Sequence, residues 1–160
     1  MELSRRFRAL KLWLSLRHHG LESFRAAIQQ DLDHAQRLAA AIKDSPALEI
    51  AGPVELSAVC FRHRVKEDAS EDARNLFNLA LLKRIVSRGK VYLSNTELKG
   101  KFCLRVCIVN HLTMDKDIDA VVPEGVGCRF GDYVGVPIEL REFVPAPFFL
   151  CGSLLQNRTR

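Results

Sequence analysis

One apolar stripe dominates the chain between residues 21 and 42. Leu21, Phe24, Ile28, Leu32, Ala35, Leu38 and Ile42 recur at three- and four-residue steps, while Gln29, Gln30, Asp31, Asp33 and Arg37 fill the opposite side. That spacing predicts an amphipathic helix of about six turns. Asp44-Ser45-Pro46 ends it, because proline disfavours helical backbone at the residue before it. Downstream the pattern changes to short apolar runs, so the long helix is expected to lie on a sheet.

The flanking segments extend this order. A first helix is expected behind an N-cap at Ser4, with Phe7, Leu10, Leu14 and Trp13 on one stripe and Gly20 closing it. Leu48-Glu49-Ile50 alternates like a strand, and Gly52-Pro53 signals a turn. Residues 54–64 read as a longer strand, with Leu56, Ala58, Cys60 and Arg62 on one face and Val59 and Phe61 on the other. A strand apolar on both faces belongs inside a sheet. Helix resumes at residues 70–72, with Leu76, Leu79, Ala80, Leu82, Lys83 and Val86 turned inward, and closes at Arg88-Gly89. Val91-Tyr92-Leu93-Ser94 is expected as a strand, residues 97–101 as a hairpin-like connection, and residues 102–109 as a second long strand. Thr113 is expected to cap a last helix over residues 114–119, which Pro123-Glu124-Gly125 cuts short. The order α-α-β-β-α-β-β-α is an α+β layout: an antiparallel sheet covered by helices, mostly on one side.

From Gly125 onward glycines and prolines crowd together and the apolar clusters lose their period. The division is therefore a folded unit over 1–124 and an irregular, poorly ordered tail over 125–160. Composition suits a globular chain, with 48% hydrophobic and 27% charged residues in 160. The net charge of +5 is dispersed rather than massed, which argues against nucleic acid as a partner. No run of about eighteen apolar residues exists, so no membrane span is expected. The five cysteines are odd in number and lack C-x-x-C spacing. They read as small buried hydrophobes, not as a disulfide framework or a metal site, and this fits a reducing, cytoplasmic setting.

Three stretches carry a family resemblance. The first is Leu3-Ser4-Arg5-Arg6-Phe7-Arg8-Ala9-Leu10-Lys11-Leu12-Trp13-Leu14-Ser15-Leu16-Arg17, continued by Gly20-Leu21-Glu22-Ser23-Phe24-Arg25. The second is Leu81-Leu82-Lys83-Arg84-Ile85-Val86-Ser87-Arg88-Gly89-Lys90-Val91-Tyr92-Leu93-Ser94-Asn95-Thr96. The third is Leu98-Lys99-Gly100-Lys101-Phe102-Cys103-Leu104-Arg105-Val106-Cys107-Ile108, followed by Thr113 and the acidic start of the last helix. In this order and at these separations they resemble the C-terminal domain of the group II pyridoxal-phosphate-dependent amino-acid decarboxylases, the aromatic-L-amino-acid, histidine and glutamate enzymes. The resemblance covers residues 3 to 122 and implies the small domain of a type I pyridoxal-phosphate fold. It also implies pyridoxal 5′-phosphate as cofactor, an amino-acid substrate, and removal of the α-carboxylate as carbon dioxide by a carboxy-lyase that is a homodimer.

In that family the cofactor is held by a lysine of a large domain, and no such motif is present in these residues. The expectation is a fragment that is inactive alone, carries no catalytic residue, confident cofactor-binding residue or metal ligand of its own, and partners the missing large domain or a full-length homologue. Its contribution is substrate recognition. Arg105 matches the family arginine that pairs with a substrate carboxylate, and a guanidinium suits that task through its planar two-pronged fork. Read from the residues alone, Arg105 is an arginine between Leu104 and Val106, either snorkelling to water or held in a structural ion pair. Ser4 matches a position near the substrate, and its role as a helix N-cap is compatible with that. The rival function is a stand-alone α+β interaction module or accessory subunit without catalysis. The first helix of the isolated chain is expected to expose an apolar patch.

Overall fold

The computed structural model describes residues 7–65 and 69–127. Nine elements follow one another: α1 (Arg8–His19), α2 (Leu21–Asp44), β1 (Leu48–Ile50), β2 (Ala58–His63), α3 (Glu71–Arg88), β3 (Ser94–Leu98), β4 (Lys101–Cys107), α4 (Asp115–Asp119) and α5 (Val121–Val126). The four strands form one antiparallel sheet in the order β1-β2-β4-β3. The two strands expected to be long, β2 and β4, are the central pair. The architecture is the α+β layout anticipated from the sequence.

The core fills one face of that sheet. Val59 and Phe61 of β2 and Leu104 and Val106 of β4 pack with Ala35, Leu38 and Ile42 of α2 and with Phe77, Leu81, Leu82 and Ile85 of α3. Side chains alternate across a strand, so Cys60, Arg105 and Cys107 project from the opposite face and are only half-buried.

Both ends of α3 are set by local chemistry. Ser70 accepts a hydrogen bond from the Ala73 backbone N–H at 3.2 Å, and Gly89 closes the helix in the left-handed region at φ +67°. Two amides then stitch α3 to the sheet. Asn78, fully buried, accepts from His63 N–H at 2.7 Å and donates to the carbonyls of His63 and Arg74. Asn75 accepts from Phe102 N–H at 2.8 Å and donates to the Gly100 carbonyl.

Several expectations are corrected. The buried side of α3 is Phe77, Asn78, Ala80, Leu81, Leu82 and Ile85, whereas Leu76, Lys83 and Val86 are exposed. The stripe was misphased because the helix carries apolar residues around most of its circumference. The expected strand over 54–64 starts only at Ala58, and the strand expected at 91–94 starts only at Ser94. Val91 and Leu93 are buried without being strand. Met114, not Thr113, occupies the N-cap position of α4. Pro123 does not end the last helix. It sits in the first turn of α5, where a missing N–H costs nothing, and the helix runs on to Val126. Residues 128–160, most of the tail that begins at 125, lie outside the described residues.

The first helix is present but starts at Arg8, with Phe7 rather than Ser4 in the N-cap position, and it buries none of its residues; Ser4 itself lies outside the described residues. Phe7, Leu10, Leu12, Trp13 and Leu14 are all exposed, Trp13 at 55%. Leu21 and Ile28 on the first half of α2 are exposed too. No helix among the described residues is long and apolar enough to cross a membrane.

Candidate functional site

Arg105 lies at the middle of β4, a strand flanked on both sides. The register sets Cys60 of β2 directly opposite it on one side and Ser94 of β3 opposite it on the other. Directly opposed residues in an antiparallel pair share a face, so Arg105, Cys60 and Ser94 form a row across the face that the core does not occupy. The Arg105 Nε–H donates to Ser94 Oγ at 3.0 Å, and the Ser94 hydroxyl donates to the Arg105 carbonyl at 3.2 Å.

No carboxylate pairs with Arg105 among the described residues. Nor does a neighbouring thiolate neutralise it. Burial pushes the Cys60 thiol above its ordinary value, an effect that Arg105 opposes and Cys107 reinforces, so Cys60 stays a neutral thiol near pH 7. The contrast with Arg62 is instructive. That arginine, 3% exposed on β2, donates from Nε to Glu49 at 2.6 Å and from Nη1 to Glu71. The sheet thus holds one arginine whose charge is satisfied internally and one half-buried arginine whose terminal nitrogens have no protein acceptor among the described residues.

Of the two substrate-binding residues expected from the sequence, Arg105 is therefore placed, and Ser4 lies outside the described residues. Ser94 was not singled out from the sequence. The signal for it was the two-residue loop Lys99-Gly100, whose register puts Ser94 across from Arg105.

Of the cysteines, Cys103 is buried as expected, while Cys60 and Cys107 are half-buried on the open face. No group of three or more metal-ligating side chains that could hold an ion exists among the described residues.

Residues 1–64 match the profile of the pyridoxal-dependent decarboxylase conserved domain. An aromatic-L-amino-acid decarboxylase of Bacillus atrophaeus is 41% identical over 118 residues, which is 74% of this chain and 25% of the relative. Tyrosine decarboxylase 2 of Arabidopsis thaliana is 38% identical over the same length, 74% of this chain and 22% of the relative. This chain belongs with the group II pyridoxal-phosphate decarboxylases. It spans about a quarter of the length of the curated relatives it matches. A crystal structure of Oryza sativa TDC with PLP and tryptamine superposes at a TM-score of 0.71 with 27% identity, covering 78% of this chain and 27% of that one. The fold described above is thus a part of the decarboxylase fold.

The cofactor of the family is pyridoxal phosphate. The described residues do not fit a covalent site for it. A lysine that holds such a cofactor as a Schiff base does so from a buried setting that disfavours its charged form. Every lysine among the described residues is exposed to solvent. What this part of the decarboxylase offers instead is a cationic fork, without a carboxylate partner among the described residues, on the sheet face opposite the core.

Proposed function

We propose that this chain supplies the substrate-carboxylate-binding part of a pyridoxal-phosphate-dependent aromatic amino-acid decarboxylase, and that it does no chemistry without the large domain. The observation that carries the reading is Arg105: half-buried, tied at Nε to Ser94, and without a carboxylate partner among the described residues. A desolvated charge left unpaired costs free energy. A ligand carboxylate removes that cost by accepting from the two terminal nitrogens at once. Arg105 would thereby fix the position and orientation of an α-amino acid. The aromatic class follows the names of the relatives. The complete enzyme is read as a cytoplasmic homodimer, with residues 1–124 as its small domain and Ser4 near the bound substrate.

The test uses the full chain with arginine side chains labelled for NMR. Titration with L-tryptophan is expected to shift the Arg105 guanidinium signals with millimolar affinity, about −4 kcal/mol, and Arg105→Ala is expected to abolish the response. Mixing the chain with pyridoxal phosphate should yield no carbon dioxide from amino acids. A response that survives Arg105→Ala, or turnover by the chain alone, defeats the proposal.

One observation favours a second reading, an interaction module or accessory subunit without catalysis. The apolar surface of α1 is unpartnered among the described residues, and exposed patches of this kind mark contact sites. Co-purification with a full-length decarboxylase, together with silence in the carboxylate titration, would establish that reading in place of the first.

A further inference from the structure

We infer that Ser94 is the positioning residue that aims Arg105 at its ligand. The inference rests on the proposed carboxylate role of Arg105 and adds how that role is made specific. An arginine side chain is long and has many rotamers, and ordering it on binding costs free energy. Ser94 removes part of that freedom beforehand. Its hydroxyl donates to the Arg105 carbonyl, with the two oxygens 3.2 Å apart. A lone pair of the same oxygen is then turned toward the guanidinium, and accepts the Nε–H at 3.0 Å. One hydroxyl thus ties the backbone and the guanidinium of the same residue together.

The engaged nitrogen matters. Holding Nε fixes the plane of the group and leaves Nη1 and Nη2 without protein acceptors among the described residues. Those two nitrogens form one edge of the fork, which meets a carboxylate in two parallel hydrogen bonds. The pair is set by the fold as well. Ser94 and Arg105 are register partners in the β3–β4 hairpin, and the tight loop at Lys99-Gly100, both residues at positive φ, pins that register. The opposite neighbour, Cys60, is a neutral thiol that does not compete for the cation. Arg62 on the same sheet shows the alternative: with Glu49 on its Nε and Glu71 on its Nη1, an arginine is consumed by the structure.

The experiment reads the Arg105 Nε–H directly in the full 160-residue chain, with 3-phenylpropionate as the carboxylate probe. In the unsubstituted chain this proton should exchange with water at least tenfold more slowly than in free arginine. Ser94→Ala should bring exchange to the free rate and weaken probe binding by about tenfold, the factor that 1.4 kcal/mol represents. Ser94→Thr, which keeps the hydroxyl, should restore both. An Nε–H that exchanges at the free rate in the unsubstituted chain overturns the inference without any variant needing to fold. So does unchanged affinity in a folded Ser94→Ala chain when Arg105→Ala has lost binding; that result leaves the carboxylate role of Arg105 standing. Probe binding that persists in Arg105→Ala removes the carboxylate role itself, and the positioning role with it.

Discussion

At the scale of single residues, the two arginines on one sheet face have opposite consequences for stability. Arg62 holds the Glu71 carboxyl below its ordinary value of 4.5, chiefly through their hydrogen bond. A carboxyl depressed in the folded state stabilises the fold above its unfolded pKa, and that contribution is lost as pH falls through the folded value. Arg62→Met should therefore flatten the acid side of the stability curve below about pH 4.5, as measured by urea unfolding across pH. A parallel acid limb in the variant would show that the pair contributes nothing. Arg105 has no such partner among the described residues, so Arg105→Met should keep or raise stability, by about 0.5–2 kcal/mol, while carboxylate binding disappears. A clear loss of stability would mean that the charge is satisfied in the fold after all. Arg105 stood out in the sequence because a charge interrupted an apolar strand. The partners of Arg62 did not, because Glu49 and Glu71 meet it only once β1 and α3 are in place.

At the scale of elements, the β3–β4 hairpin decides the geometry of the candidate site. Its loop needs two consecutive residues at positive φ, and Lys99 (φ +53°) and Gly100 (φ +76°) supply them. Gly100→Val should cost about 1–2 kcal/mol, since a side chain in that region meets its own backbone. Thermal unfolding measures this, and an unchanged midpoint would argue that the loop relaxes into another turn. The sequence placed a turn here but spread it over residues 97–101, so Ser94 fell at the end of a strand and its facing of Arg105 was hidden. Helix α3 was misread for a different reason. Its buried residues include the polar Asn78, and apolar Leu76 and Val86 lie outside, so periodicity alone could not fix its rotation. By contrast α2 and the central strands were legible, because a long stripe and a two-sided apolar strand each allow few alternatives.

At the scale of the whole molecule, the core and the exposed apolar surface belong to different elements. Leu81, fully buried between α3 and the sheet, should cost about 2–5 kcal/mol when cut to alanine. Trp13→Glu together with Leu14→Glu should leave the unfolding midpoint of the sheet unit in place, since neither side chain is buried. A large drop in the midpoint would mean that α1 is stabilised by contacts with the rest of the fold.

The joint between α1 and α2 is one residue, Gly20, at φ +79° with its N–H bonded back to the Leu16 carbonyl. Such a junction is a natural point of excision. A protease nick there would free the leading peptide and leave the remainder, with every core side chain retained, as compact as before. The helical arm meets the body that bears Arg105 at this joint, where the Ser23 hydroxyl donates to the His19 carbonyl at 2.7 Å and the His19 ring lies edge-on to Phe24.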